Sequence, residues 1–257
     1  MSFRTLIDTG RLVIYFLLTI IVLIVSFFPE GWLLFFYLNE PPELVHCLLA
    51  PLYVFLAYCT TVIFFGVVHS QVVVRLTLPY RIKPGKYPHH SSQGRLIAIR
   101  ITADGIFKAM LKVFTFLPFI WGVLLFPYGM RLYGLKCGKN VHIATNTWID
   151  CPLVEIGDNT FIGWNTALAG HANENRQFVI EPAKIGKNVT IGSYCVVGPG
   201  VEIGDNTMMG LMSGFKKGEK VPPGGVWVGA PAKLLKKRRG YEYDEELNKI
   251  LEDQNNS

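Results

Sequence analysis

One fifteen-residue stretch, Gly170–Lys184 (GHANENRQFVIEPAK), gathers the side chains best suited to chemistry. It holds His171, Asn173, Glu174 and Glu181. A histidine changes charge near neutrality, so it can take a proton from a hydroxyl or an amine as that group attacks. Glu174 or Glu181 can hold such an imidazole in one tautomer, or bind the molecule that gives up the proton. Asn173 or a backbone N–H can donate to the oxyanion of a tetrahedral intermediate. The competing reading is structural: His171 caps a turn.

Elsewhere the chemistry is thinner. Cys47, Cys59, Cys137, Cys151 and Cys195 are scattered with no CxxC spacing. That excludes a disulfide framework and a cysteine zinc site, and it suits a reducing compartment. His89 and His90 lie in a Pro-rich stretch and read as loop residues, and His142 reads as a surface or subunit-contact residue. Trp148, Trp164 and Trp227 are assigned to packing or to lining a cleft. The formal net charge is +6, and the basic residues cluster. One cluster is Arg75, Arg81, Lys83 and Lys86; the other is Lys233, Lys236, Lys237, Arg238 and Arg239. Anionic lipid or a phosphorylated cofactor would suit them, as would a solubilising role. No nucleic-acid partner is expected.

The element that must carry the Gly170–Lys184 stretch is a repeat. Written in sixes, the second half reads CGKNVH, IATNTW, IDCPLV, then, after one extra residue (Glu155), IGDNTF and IGWNTA. After the stretch the phase resumes as IGKNVT, IGSYCV, VGPGVE, IGDNTM and MGLMSG. The first position is aliphatic, the second usually Gly, the fifth small or β-branched. A short strand plus a tight turn takes six residues, and three such sides close one coil. The aliphatic residue then points inward and stacks on its equivalent one coil away, while Gly and Asn take the turns. No coil buries its own face alone, so several must stack. Strands of an ordinary sheet alternate in twos and do not produce this period. A long break in so regular a pattern is where function is expected.

These hexads, over about Leu135–Lys233, resemble the hexapeptide-repeat acyltransferases, whose fold is a left-handed parallel β-helix. The resemblance alone implies the handedness. It also implies a homotrimer with active sites between neighbouring coils, and acetyl-CoA as acyl donor. In the acetyltransferase branch a catalytic histidine closes one rung, and the loop after it re-enters through Glu-Pro before an Ile-Gly. His171, Glu181, Pro182 and Ile185–Gly186 match that order. The resemblance further places pantetheine past Ser193, Gly210 and Ser213, with the phosphates met by Lys233, Lys236 and Lys237. The closing run KGEKVPPGGVWVGAPAK is similar to the family's terminal loop, with Ala230 where the family has Asn. A narrower likeness is to the membrane-embedded C-terminal region of polylysine-synthetase-type peptide synthetases, carried by GEKVPPGGVWVGAPA. The carbonic anhydrases of the same fold need three zinc-binding histidines. The coil has His142 and His171 only, so no metal is expected.

The first half reads as membrane. Leu12–Phe28 is uncharged and long enough to span, and so is Val45–Val68. Arg4 and Arg11 precede the first run, the connection between the runs carries Glu30, Glu40 and Glu43 with no Lys or Arg, and basic residues follow the second. The positive-inside rule then places both termini and the coil on the cytoplasmic side of an integral membrane protein. Ala103–Phe126, with Lys108 and Lys112 four apart, is read as an amphipathic or re-entrant helix on that leaflet, a third span being the alternative. The expected organisation is two transmembrane helices (1–78), a linker and interfacial helix (79–134), the β-helix domain (135–235) and a charged tail (236–257). The expected function is acetyl transfer to a hydroxyl or amine of a small or lipid-linked acceptor near the membrane lipids, with His171 as base. A non-catalytic trimeric scaffold is the competing class.

Overall fold

The structure is a computed structural model. It describes residues 3–39, 50–57, 82–112, 126–241 and 244–255, together with residues 60, 61, 64, 68 and 69. The chain divides into two compact units, Met1–Tyr80 and Arg81–Ser257.

In the first unit, helices Phe3–Ser26 and Phe28–Asn39 follow one another with a break at Phe27. Thr9–Phe35 within them is long and apolar enough to cross a membrane, with a mean hydropathy of 2.8. Large apolar side chains such as Ile14, Leu17, Ile21 and Ile24 face outward. Two polar contacts tie this helix pair to later residues. Tyr15 Oη lies 3.1 Å from His69 Nε2, and Thr61 Oγ1 donates to the Ser26 carbonyl at 2.6 Å. Of the second expected span, residues 50–57 are helical, and most of the remainder lies outside the described residues.

The second unit is built on the expected coil. Parallel two- and three-residue strands form three faces. Cys137, Ile156, Ile185, Ile203 and Val221 stack in register on one face. On the second the inward column is Ile143, Ile162, Ile191, Met209 and Trp227. Ile149, Leu168, Val197 and Phe215 form the third. Nearly all of these side chains are buried, each contributing about 1.5–3 kcal/mol of transfer free energy. Handing every strand its partner one coil away also satisfies the backbone.

The turn positions are taken by Asn and, at Gly200 and Gly218, by Gly, as expected. Left-handed φ is taken by Asn140, Asn146, Asn159, Asn165, Asn188 and Asn206, and also by Tyr194 and Met212. The repeat's second-position glycines serve close approach instead. A Cβ on Gly157 would lie 2.6 Å from the Gly186 carbonyl carbon of the next coil, a contact that real side chains do not make. The outward residues of the first face alternate in charge: Lys136, Glu155, Lys184, Glu202 and Lys220. Exposed pairs of this kind contribute at most about 1 kcal/mol each; their effect is to keep that face wet.

Two regions correct the sequence reading. The Pro-rich linker contains strand Gly85–Pro88, which pairs antiparallel with Gln177–Ile180, itself paired with His171–Glu174. The break in the repeat is thus a β-hairpin, completed into a three-stranded sheet by the linker. Helix Ser92–Lys112 follows at once. Gly94 permits the tight entry, since a Cβ there would meet the Pro88 carbonyl oxygen at 2.0 Å. Ile97 of this helix packs with Leu153 of the coil and Ile180 of the hairpin, flanked by Tyr87, Ile101 and Phe178. Residues 103–112, expected at a lipid surface, therefore belong to the coil unit, and Lys108 is 1% exposed. Residues 113–125 of the expected interfacial helix lie outside the described residues.

At the other end, strand Lys233–Lys237 folds back antiparallel on Gly225–Val228. Helix Glu245–Asn255 follows, capped by Asp244, whose Oδ1 accepts from the Leu247 N–H at 3.0 Å. Leu247 is fully buried. Instead of a free charged tail, residues 236–257 include a cap on the open end of the coil, as stacked repeats require.

Candidate active site

The hairpin leaves the coil at Gly170, so His171 stands at a corner directly above the strand Trp148–Ile149 of the previous coil. The residue beneath it is Asp150. Asp150 Oδ2 lies 2.6 Å from His171 Nδ1 and accepts the Gly170 N–H at 2.9 Å. Its other oxygen, Oδ1, accepts from Trp148 Nε1 at 3.1 Å and faces the Lys108 ammonium at 3.7 Å. Lys108 also pairs with Asp104 one helical turn away and sits 4.4 Å above the Trp148 ring.

The charges follow from these neighbours. Burial pushes the Asp150 carboxyl up, but the His171 hydrogen bond and charge, the Lys108 charge and the Gly170 N–H outweigh it, and the carboxyl is held below its usual range. Asp104 goes the other way. Burial raises it to about 6, against the opposing pull of Lys108. An ionised Asp150 accepts only, so the contact at Oδ2 calls for a proton on His171 Nδ1, and Nε2 is the ring nitrogen that Asp150 does not engage. The His171 side chain is 22% exposed, against 6% for Asp150. That is the arrangement general-base catalysis needs: one nitrogen fixed, the other reachable.

The other expected residues are placed as follows. Glu174 and Glu181 do not reach the imidazole. Both reach across to Lys217, at 3.1 Å and 3.4 Å, and these bonds, Glu174 first, raise the Lys217 ammonium. Glu174 lies at the far end of the hairpin, whereas Glu181, whose N–H donates to the Gly170 carbonyl at 3.0 Å, is beside the histidine in backbone but turns its carboxylate to Lys217. Asn173 is exposed on the hairpin. Ser213 is 2% exposed, and its hydroxyl accepts the Gly229 N–H at 3.0 Å. Gly210 packs beneath Val228, and Ser193 accepts from the Trp164 N–H at 3.2 Å. Lys233 and Lys236 are exposed, whereas Lys237 donates to Asn248 at 2.6 Å. His142 stacks on Phe161, at 5.5 Å between ring centroids. Among the described residues no cluster of His, Cys, Asp and Glu has the makings of a metal site.

Asp150, Lys108 and Trp148 are site residues that the sequence reading does not assign. Asp150 is within reach of the repeat itself. Counting back from His171 by one eighteen-residue coil, with allowance for the extra Glu155, arrives within a few residues of it.

Residues 182–210 match the family model described as bacterial transferase hexapeptide (six repeats). The galactoside O-acetyltransferase of Escherichia coli K12 is 37% identical over 113 residues, covering 38% of this chain and 55% of that protein. The putative acetyltransferase YvoF of Bacillus subtilis is 31% identical over 121 residues, 46% of this chain and 68% of its own length. The delta-poly-L-ornithine synthetase of Acinetobacter baumannii is 27% identical over 121 residues, 46% of this chain and 9% of that protein, which agrees with the narrower likeness read from the terminal loop. The match thus spans about half of the galactoside enzyme and a small part of the synthetase.

Proposed function

As the chain belongs to the hexapeptide-repeat transferases, we propose that it moves an acetyl group from acetyl-CoA to a hydroxyl or amine of a membrane-proximal acceptor, with His171 as general base. The observation that carries this reading is the 2.6 Å contact of His171 Nδ1 with a buried, ionised Asp150, which leaves Nε2 as the proton acceptor. The acceptor's oxygen or nitrogen attacks the thioester carbonyl while Nε2 takes its proton. The tetrahedral oxyanion then collapses, the C–S bond breaks, and the proton passes to the departing CoA sulfur. An ester or amide and free CoA result.

Neither Cys151 nor Cys195 is suited to carry the acyl group. Burial raises the Cys151 thiol well above its usual range, and Cys195 is raised for the same reason; only a thiolate would be nucleophilic. The left-handed winding is the family's. Homotrimer formation is supported by the surface: Phe161 and Val196 are exposed on the two uncharged faces, while the third carries the Lys/Glu ladder. Membrane anchoring rests on the apolar Thr9–Phe35 helix and on the charge pattern of the first half, which favours the cytoplasmic side. A lipid-linked or headgroup acceptor follows from that placement.

Incubating the full chain in detergent with radiolabelled acetyl-CoA and a membrane extract is expected to move label into an extractable product, whose mass names the acceptor. CoA binding without labelled product would favour the scaffold. The CoA phosphates are assigned to Lys233 and Lys236. Replacing both by Ala is expected to weaken CoA binding roughly tenfold at low salt, and less as ionic strength rises. Unchanged affinity would return these lysines to a solubilising role.

A further inference from the structure

The His171–Asp150 pair accounts for a base but leaves a buried cation beside it. Lys108 is 1% exposed and Asp104 5%. A buried ion pair is a poor source of stability, because desolvating both charges offsets their attraction, and apolar residues of similar size would serve the fold as well. This pair is also incompletely satisfied. Asp104 Oδ1, and Nε and Nη1 of Arg100 one turn away, have no hydrogen-bond partner among the described residues. Such a cluster invites a reason beyond packing.

Its position supplies one. Lys108 lies between two carboxylates, paired directly with Asp104 and 3.7 Å from Asp150 Oδ1. The Trp148 ring beneath it also donates to that same Oδ1. The groups facing Asp150 are therefore Lys108 and Asp104 from the helix, His171 and the Gly170 N–H from the hairpin, and Trp148 and Cys151 from its own coil.

We propose that helix Ser92–Lys112 is part of the reaction centre, and that Lys108, held by Asp104, is a positioning residue that keeps Asp150 an anion and so fixes the proton of His171 on Nδ1. This rests on His171 being the base. Without Lys108, Arg100 remains as a weaker influence on Asp104, no cation faces Asp150 Oδ1, and the two buried, mutually repelling carboxylates would share a proton. A protonated Asp150 would no longer demand Nδ1–H from the imidazole, and Nε2 would carry the proton for part of the time. Asp104 plays the complementary part by balancing the ammonium, so that Lys108 does not repel the positive charge His171 gains during transfer.

The test uses the full chain in detergent and two variants. Lys108→Met is expected to lower kcat roughly ten- to a hundredfold, with the KM for acetyl-CoA unchanged. In the Asp104→Asn/Lys108→Met double variant the second carboxylate is gone and Asp150 is again an anion. Its kcat is expected to return to within about threefold of wild type. Rescue of one substitution by the other is something a purely structural lysine would not produce. If Lys108→Met fails to fold, the double variant, which removes the ion pair as a unit, still decides: the proposal expects near-wild-type kcat and His171 Nδ1–H in it, and a lost rate or a tautomer mixture there overturns it.

Histidine labelled with ¹⁵N reads the tautomer of His171 without any turnover, the signal being assigned from His171→Ala. Wild type is expected to show Nδ1–H, and Lys108→Met a mixture with Nε2–H. A wild-type rate and tautomer in Lys108→Met, or no rescue in the double variant, would each overturn the proposal. A His171→Ala enzyme with full turnover would instead remove the base assignment, and the ¹⁵N signal would still report whether Lys108 sets the tautomer.

Discussion

Replacing Asp150 by Asn is expected to lower turnover by about a thousandfold or more, the scale seen when a catalytic imidazole is held in the wrong tautomer. The reason lies in what surrounds the carboxylate. Trp148 Nε1 donates to Oδ1 and the Lys108 ammonium faces it, while the Gly170 and His171 N–H groups point at Oδ2. Each of these four groups brings a proton or a positive charge to the carboxylate, so the site needs a group that accepts on both atoms. An amide accepts on one only. With its oxygen toward His171, its NH2 meets the Trp148 donor and Lys108. Turned over, its NH2 meets the Gly170 N–H and forces His171 to accept on Nδ1, which puts the proton on Nε2 and removes the base. Steady-state kinetics at saturating acetyl-CoA, with CoA affinity measured separately, tests this. A near-normal kcat in a folded Asp150→Asn protein would show that Asp150 merely closes the corner of the coil.

His171→Ala is expected to cost turnover about a hundred- to ten-thousandfold. Stability should change little, because the ring is partly exposed and its contribution to the coil core is small. CoA affinity should also survive, since the cofactor is assigned to other residues. Glu181→Gln should cost far less than either change, because Glu181 reaches Lys217 and not the ring. The three variants together separate the base and its orienting carboxylate from the hairpin's surface ion pairs.

The coil is legible in the sequence because its physics is periodic. An inward aliphatic side chain every sixth residue, from Ile143 to Val221, admits few other folds, and the break at Gly170 marks the hairpin and His171. The orienting carboxylate is hidden for a related reason. Along the chain the carboxylates nearest His171 are Glu174 and Glu181, whereas in a coil the nearest neighbour lies one turn back, at Asp150. The helix is misplaced by a local signal. Lys108 and Lys112 four apart look like the polar face of a surface helix. A lysine paired with Asp104 and laid over Trp148 is as well accommodated inside, and spacing alone cannot tell the two apart. The linker strand Gly85–Pro88 is masked by its prolines, which an edge strand tolerates.

The most direct test is the transfer itself. Wild-type protein and His171→Ala, matched for CoA binding, are given radiolabelled acetyl-CoA and membrane extract, and the initial rate of label entering the acceptor is compared. The expected result is rapid labelling by the wild type and a rate at least about a hundredfold lower for the variant. Labelling by His171→Ala at close to the wild-type rate would contradict the assignment of His171 as the base.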